Sequence, residues 1–329
     1  MEQNHIRIGV VQWQVEHVDN LQAFFWKMES QVRALANAQA DFVLFPEYFA
    51  LPLLTLFDDH REYRQHFFST LSPEEIYPDH PHHAPGVPDV AHGMRQLADF
   101  SDHIISRCVA MAAKYQVNII AGSMPVLEGD TLYNTAVLCH RNGKTDSYHK
   151  IHLTPYEVEI MELSPGHDPG IFETDMGRIA ILICYDVEFP ELGRLCADAG
   201  CHTAFVPYST DTEHGHWRVR HSAQALAVYG ECYVATAGCT GNMPEVPAIE
   251  FQYAQSGIYT PCDHGFPAGG IMAEAPPNAD AAIYADVHPE LLTRLRHHGT
   301  VRNSRDRRKE VYARHTVFSP INTVPKKFF

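Results

Sequence analysis

The sequence predicts a layered α/β protein, and three observations carry that prediction. Short apolar runs rich in β-branched residues recur along the chain, and segments with helical apolar spacing lie between several of them. No internal repeat, charge block or low-complexity linker interrupts the rhythm. At 329 residues the chain has room for one large domain or two ordinary ones. The missing linker favours one domain, over residues 1–311, followed by a short arm over 312–329. With 45% hydrophobic and 20% charged residues, a disordered chain, a collagen-like fibre and a coiled-coil rod are excluded.

The elements follow in order. Residues 6–13 read as a strand, and 21–36 as a helix for which Asp19 or Asn20 offers an N-cap. The run 42–45 is short and wholly apolar, the mark of a strand buried on both faces. From 51 to 90 the alternation breaks, and a Pro/His-rich patch over 77–88 marks an inserted loop or lid. A helix is expected over 91–115, then strands over 118–121 and 135–139. Asn142-Gly143 is a hairpin turn that returns the chain antiparallel toward His149 and Lys150. Strands at 179–184, 203–206, 233–237 and 282–287 alternate with helices at 191–198 and 216–229. The final arm, with Pro320, Pro325 and two terminal Phe, is too short for its own core and is expected to pack on a neighbouring subunit.

Charge narrows the partners. Lys plus Arg total 25 against 40 Asp plus Glu, a balance of -15 that repels phosphate and argues against nucleic acid or an anionic membrane surface. The longest apolar run, seven residues over 179–185, is far below the about 20 needed to span a bilayer. The polar start resembles no signal peptide, so a cytoplasmic setting is expected. Eight Cys without a CxxC pair fit reduced, mostly buried thiols.

Three strand ends carry reactive groups. The run Ile179 to Ile183 delivers Cys184, and Phe189-Pro190-Glu191 opens a helix directly afterwards, which puts the thiol at an elbow. There the Tyr185 N–H can stabilise an oxyanion developing beside the sulfur. The strand over 42–45 ends in Pro46-Glu47, where a buried carboxylate needs a cationic partner. The segment 148–157 supplies Lys150 as that partner, and a second carboxylate at Glu157 or Glu159.

Pro46-Glu47, Lys150 and Cys184-Tyr185-Asp186, in this order, resemble the glutamate-lysine-cysteine triad of the nitrilase superfamily of carbon-nitrogen hydrolases. The resemblance extends to Tyr133-Asn134-Thr135, to Phe189-Pro190-Glu191 and to the Trp217 segment, over about residues 5–290. Tyr48-Phe49, the segment 211–217 and the segment 256–263 look most like the branch sometimes fused to an acetyltransferase, a domain this sequence does not carry. The resemblance implies a four-layer α-β-β-α sandwich with the site at strand ends, and a homodimer or higher homo-oligomer built through helices of one outer face. Chemically, an amide needs a nucleophile, a proton for its leaving nitrogen and charge stabilisation on oxygen. Cys184 would be the nucleophile, Glu47 the base and acid, and Lys150 with the Tyr185 N–H the oxyanion donors. The family's Pro-x-Glu spacing assigns the second glutamate to Glu157 through Pro155, with Glu159 as its rival.

The expected activity is that of a cofactor-independent amidase acting on a small non-peptide amide through a thioester. Nitrile or N-carbamoyl amine hydrolysis is the near alternative, although Cys184-Tyr185 suits amidase branches better than the Cys-Trp of many nitrilases. A silent scaffold of the same fold is the alternative outside enzymes. Tyr156, Tyr208 and Trp217 are candidates for the pocket wall. No metal is expected, because His80, His82, His83 and the His297-His298 pair lack zinc-site spacing. Arg302, Arg305, Arg307, Arg308 and Lys309 read as a solvated helix or as partners in salt bridges between subunits.

Overall fold

The protein is described here by a computed structural model covering residues 5–57, 90–246 and 248–315. Along the chain, β1 (Ile6–Gln14), α1 (Leu21–Asn37), β2 (Phe42–Leu44) and a buried 3-10 turn (Leu51–Leu56) precede α2 (Val90–Tyr115). The meander β3 (Asn118–Glu128), β4 (Thr131–Cys139) and β5 (Thr145–His149) leads into the short α3 (Pro155–Glu159). Then come β6 (Ile171–Thr174), β7 (Gly177–Ile181), a 3-10 turn (Cys184–Glu188) and α4 (Pro190–Asp198). Next are β8 (Thr203–Tyr208), α5 (Glu213–Gly230) and β9 (Tyr233–Thr240). The chain closes with β10 (Gly257–Tyr259), β11 (Ile271–Glu274), β12 (Ala281–Val287), α6 (Pro289–His298), α7 (Asn303–Asp306) and α8 (Lys309–His315).

The strands form two facing halves. One runs β12-β1-β2-β3-β4-β5, with β1, β2 and β3 parallel and the rest antiparallel. The other runs β11-β10-β9-β8-β7-β6, with β7, β8 and β9 parallel. They join where Trp13 and Gln14 run beside Cys239 and Thr240.

Alternation along each strand decides the layers. Ile8, Val10, Phe42 and Leu44 face the second half, with the Phe42 and Phe205 rings 5.1 Å apart. Their neighbours Val11, Trp13, Val43 and Phe45 face outward onto α1 and α2, which bury Phe24, Met28, Met94 and Leu97 against them. On the far side α4 and α5 cover the second half with Leu192, Val219 and Leu226. Helix, sheet, sheet and helix are thus stacked as the resemblance implied.

The strands missing from the sequence reading are β6, β10 and β11, while β5 is the antiparallel return expected after the Asn142-Gly143 turn. β6, β10 and β11 hold only three or four residues each, so no apolar pattern marks them. The Asn142-Gly143 turn forms as expected, Gly143 having φ +88° and donating its N–H to the His140 carbonyl. The strand over 179–184 ends earlier, at Ile181, because the chain turns to present Cys184. Of the inserted loop, 51–57 is described and 58–89, including His80, His82 and His83, lies outside the described residues, as does 316–329 of the arm. The basic cluster is spent partly within the chain: Arg302 pairs with Asp306, Arg307 with Asp198 and Arg308 with Glu310. Among the described residues no helix is long and apolar enough to cross a membrane.

One glycine places the Glu47 carboxylate. Gly122 interrupts the β3–β4 register at φ +59°, so β3 can pass under the Pro46 carbonyl while Ser123 bonds on both sides of Glu47. A Cβ on residue 122 would lie 1.9 Å from that carbonyl oxygen. Gly122→Ala is therefore expected to cost about 3 kcal/mol or more, because strain and overpacking coincide. An unchanged denaturation midpoint would refute this reading.

Candidate active site

Each of the three candidate side chains is presented where a strand stops. Glu47 follows β2, Lys150 follows β5 and Cys184 follows β7, the last at φ +48°, a left-handed backbone that few side chains adopt. All three are buried, Glu47 and Lys150 being only 1% exposed. Glu157 arrives by local helix chemistry. Thr154 caps α3 and Pro155 occupies its first turn, which sets Glu157 at the third position with its carboxylate turned back onto the Thr154 N–H, 2.9 Å away. Glu159, two residues on, points to solvent and takes no part.

The charged groups converge. The Lys150 ammonium donates to Glu47 Oε1 at 2.9 Å and to Glu157 Oε1 and Oε2 at 2.9 and 2.8 Å. Tyr48 donates its hydroxyl to Glu157 Oε1 at 2.8 Å, and Asn134 donates to both carboxylates at 2.9 Å. Across the site, the Ser209 N–H donates to Glu47 Oε2 at 2.9 Å, and the Cys184 thiol donates to the Ser209 carbonyl at 3.8 Å. One residue, Ser209, thus orients both the acid and the sulfur, through its N–H and its carbonyl.

A third buried carboxylate ties the elbow to the strand that carries Lys150. Asp186, fully buried, accepts from the Tyr148 hydroxyl at 2.8 Å, from the His152 N–H at 2.8 Å and from the Ile183 N–H at 3.2 Å. His152 also stacks on Phe189, with ring centroids 3.6 Å apart. Tyr148 and His152 flank Lys150 by two residues on each side, so Asp186 links the elbow to the chain on both sides of the ammonium's residue.

Burial sets the proton affinities. It pushes the Cys184 thiol well above its usual range, and the Glu47 charge pushes further than Lys150 pulls back, so Cys184 rests as a thiol. Burial, and then Glu157, raises Glu47 against the pull of Lys150, giving a carboxylate that accepts a proton more readily than an exposed one. Burial also opposes the Glu157 charge, but Lys150 and the donors around it prevail and hold that carboxyl below its ordinary value. Lys150 stays charged because two carboxylates outweigh its desolvation.

These groups open into a cavity of about 220 Å³ that also takes in Tyr48, Tyr156, Met161, Tyr185, Glu188, Arg218 and Glu250. Tyr156 stands on the expected wall. Tyr208 and Trp217 do not. The Tyr208 ring is buried in the core with its hydroxyl sharing a 3.1 Å hydrogen bond with His216 Nδ1, and Trp217 stacks on His221 at the surface. Following a strand end is thus a weak guide to which way an aromatic ring turns. The reading also passed over Tyr48, Asn134, Asp186 and Ser209 as contacts. The first three stand inside or beside the quoted motifs, while Ser209 has no signal except its place after β8. Among the described residues no group of His, Cys, Asp and Glu could hold a metal.

Two outcomes are expected. Lys150→Met leaves two buried carboxylates facing each other and is expected to cost about 3–5 kcal/mol, read as a lowered denaturant midpoint. Burial, helped by Asp211, pushes the Glu250 carboxyl up to about 7, so the folded state resists its ionisation. Native stability from this group is full below pH about 4.5 and is lost as pH rises to about 7. Glu250→Gln is therefore expected to raise the melting temperature relative to the native chain at pH 8 and to leave it unchanged at pH 4. An equal difference at both values would rule the linkage out.

The model of the carbon-nitrogen hydrolase family matches residues 7–297. A protein of Bacillus subtilis named probable hydrolase YhcX is 35% identical over 307 residues, covering 93% of this chain. The chain spans only 54% of that relative's length. The omega-amidase NIT3 of Saccharomyces cerevisiae is 30% identical over 215 residues, 62% of this chain and 69% of that protein. The crystal structure of Saccharomyces cerevisiae Nit3, titled a member of branch 10 of the nitrilase superfamily, superposes with a TM-score of 0.64 at 25% identity, over 89% of this chain and 93% of that one. An amidase from Nesterenkonia shares the fold, with a TM-score of 0.67 at 20% identity over 95% of this chain and 97% of that one. A match that runs from β1 into α6, and so takes in every strand end just described, places this chain in the carbon-nitrogen hydrolase family.

Proposed function

We propose that this protein hydrolyses a small non-peptide amide, releasing ammonia or an amine. The observation that carries this reading is the meeting of Glu47, Lys150 and Glu157 around Cys184 in one cavity. Glu47 takes the thiol proton as Cys184 Sγ attacks the carbonyl carbon, forming the C–S bond and a tetrahedral oxyanion. The Lys150 ammonium and the Tyr185 N–H stabilise that oxygen. Glu47 returns the proton to the departing nitrogen, the C–N bond breaks and a thioester remains. Glu47 then deprotonates a water that attacks the thioester, and the proton passes to sulfur as the C–S bond breaks. Acid and thiol leave this step in their starting states, so no external oxidant, reductant or cofactor is consumed. Glu157 holds Lys150 and helps to place the substrate nitrogen.

The cavity volume suits a substrate of few heavy atoms, and the omega-amidase relatives make small ω-amides the first class to test. N-carbamoyl amines and nitriles require the same nucleophile and form the second class. A homodimer or higher oligomer is part of the same reading, supported by exposed Leu195, Val228, Val301 and Tyr312 on α4, α5 and the C-terminal segments. Eight unpaired cysteines, seven of them buried, fit a reducing cytoplasmic setting. A catalytically silent scaffold would have no use for a buried ammonium held between two carboxylates, which burial makes costly.

The test is ammonia release from a panel of ω-amides, carbamoyl amines and nitriles. The native chain is expected to turn over at least one amide, and Cys184→Ala and Glu47→Gln to lower that rate by at least about 10³-fold. Turnover that survives Cys184→Ala would end the thioester mechanism.

A further inference from the structure

Asn134 is fully buried in β4, and its amide nitrogen lies 2.9 Å from Glu47 Oε1 and 2.9 Å from Glu157 Oε1. An amide nitrogen carries two hydrogens, and both are committed. The carbonyl end, Asn134 Oδ1, is buried without a hydrogen-bond partner among the described residues. The amide orientation is therefore set wholly by the two carboxylates, which accept and cannot donate while ionised. The Asn134 backbone carbonyl accepts the Lys150 N–H at 2.9 Å, so the same residue holds the ammonium's strand and both of its counter-ions.

We propose that Asn134 is a positioning residue for the hydrolase reaction: by donating one hydrogen to each glutamate it holds both against Lys150 and keeps Glu47 ionised, ready to take the Cys184 proton. The proposal rests on the hydrolase reading above. The side chain suits the place for a simple reason. A serine has one hydrogen and could serve only one glutamate. An aspartate would add a third negative charge, and a lysine or arginine would neutralise the base. Only a short neutral double donor restrains the two carboxylates, which repel each other, and leaves Glu47 basic.

The groups facing Glu47 are Lys150 from the end of β5, Glu157 from α3, Cys184 from the elbow, the neighbouring Tyr48, and Cys239 of β9, whose thiol donates to the Glu47 backbone carbonyl. The Ser209 N–H completes the set. None of these replaces the hydrogen that Asn134 gives to Oε1. Losing that donor favours protonated Glu47, so the base is ionised only at higher pH.

The experiment is the pH profile of Cys184 alkylation by iodoacetamide, followed by intact mass for the native chain, Asn134→Ala, the isosteric Asn134→Asp and Glu47→Gln. In the native chain Cys184 is expected to react faster than the other thiols, with an acid limb that Glu47→Gln abolishes. Asn134→Ala is expected to move that limb up by about one pH unit, and Asn134→Asp by more, with both variants retaining cooperative melting. A merely structural role would lower the rate at every pH without moving the limb, and that result overturns the proposal. If Asn134→Ala fails to melt cooperatively, the isosteric variant alone decides by the same limb. Slow labelling of native Cys184, equal to that of the other thiols, overturns the hydrolase reading and this proposal together. A reactive native Cys184 with unmoved variant limbs overturns this proposal alone.

Discussion

The arrangement depends on one ammonium that has lost its water. Lys150 is 1% exposed, and an ion of that kind costs several kcal/mol to desolvate unless its surroundings return the loss. Glu47 and Glu157 do so with three hydrogen bonds of 2.8 to 2.9 Å, but they add two charges that repel each other. The cluster is stable only because neutral donors from several elements complete it: the Tyr48 hydroxyl, the Asn134 amide, the Ser209 N–H and the Thr154 N–H. Each donor comes from a different stretch of chain. Folding the site and folding the protein are therefore largely the same event.

The topology makes that convergence possible. Parallel strands in both halves end on the same side, and connections from such ends form the crevice where ligands bind in α/β folds. β2, β7 and β8 release Glu47, Cys184 and Ser209 there, while the antiparallel β5 returns through the Asn142-Gly143 turn to bring Lys150 to the same place. Two local departures from regular backbone refine the fit. Gly122 lets β3 pass beneath the carbonyl before Glu47, and the left-handed conformation of Cys184 turns the sulfur out of its strand direction. Asp186 locks the second departure to the first half through Tyr148 and His152.

The same burial that makes the cluster costly gives it chemical purpose. In water a glutamate is too weak a base to attract a thiol proton, and a thiol does not surrender it at neutral pH. Here both groups are raised, Glu47 by desolvation and its carboxylate neighbour, Cys184 by desolvation and Glu47. In the proposed reaction, transfer between them takes place beside a fixed positive charge that gains value as negative charge develops on a substrate oxygen.

How much of this was legible depends on where each signal resides. Continuous apolar runs such as 42–45 and 179–183, the helical spacing of 21–36, and the cap and proline ahead of Glu157 are local properties of the chain, and they marked the central strands, the main helices and the ends that carry Glu47, Lys150 and Cys184. Strands β6, β10 and β11 are only three or four residues long, too few to mark themselves, and exist because neighbouring strands supply their hydrogen bonds. The choice between Glu157 and Glu159 needed the helix to be folded, since two residues of α3 point to opposite sides. Tyr208 and Trp217 were read toward the pocket and turned elsewhere, because ring direction is settled by packing against His216 and His221. Sequence alone determined the kinds of groups available and the strand ends that carry them. Only the tertiary structure decided which of them share a hydrogen bond, because a bond between Asn134 and Glu47, 87 positions apart, is recorded in no local pattern.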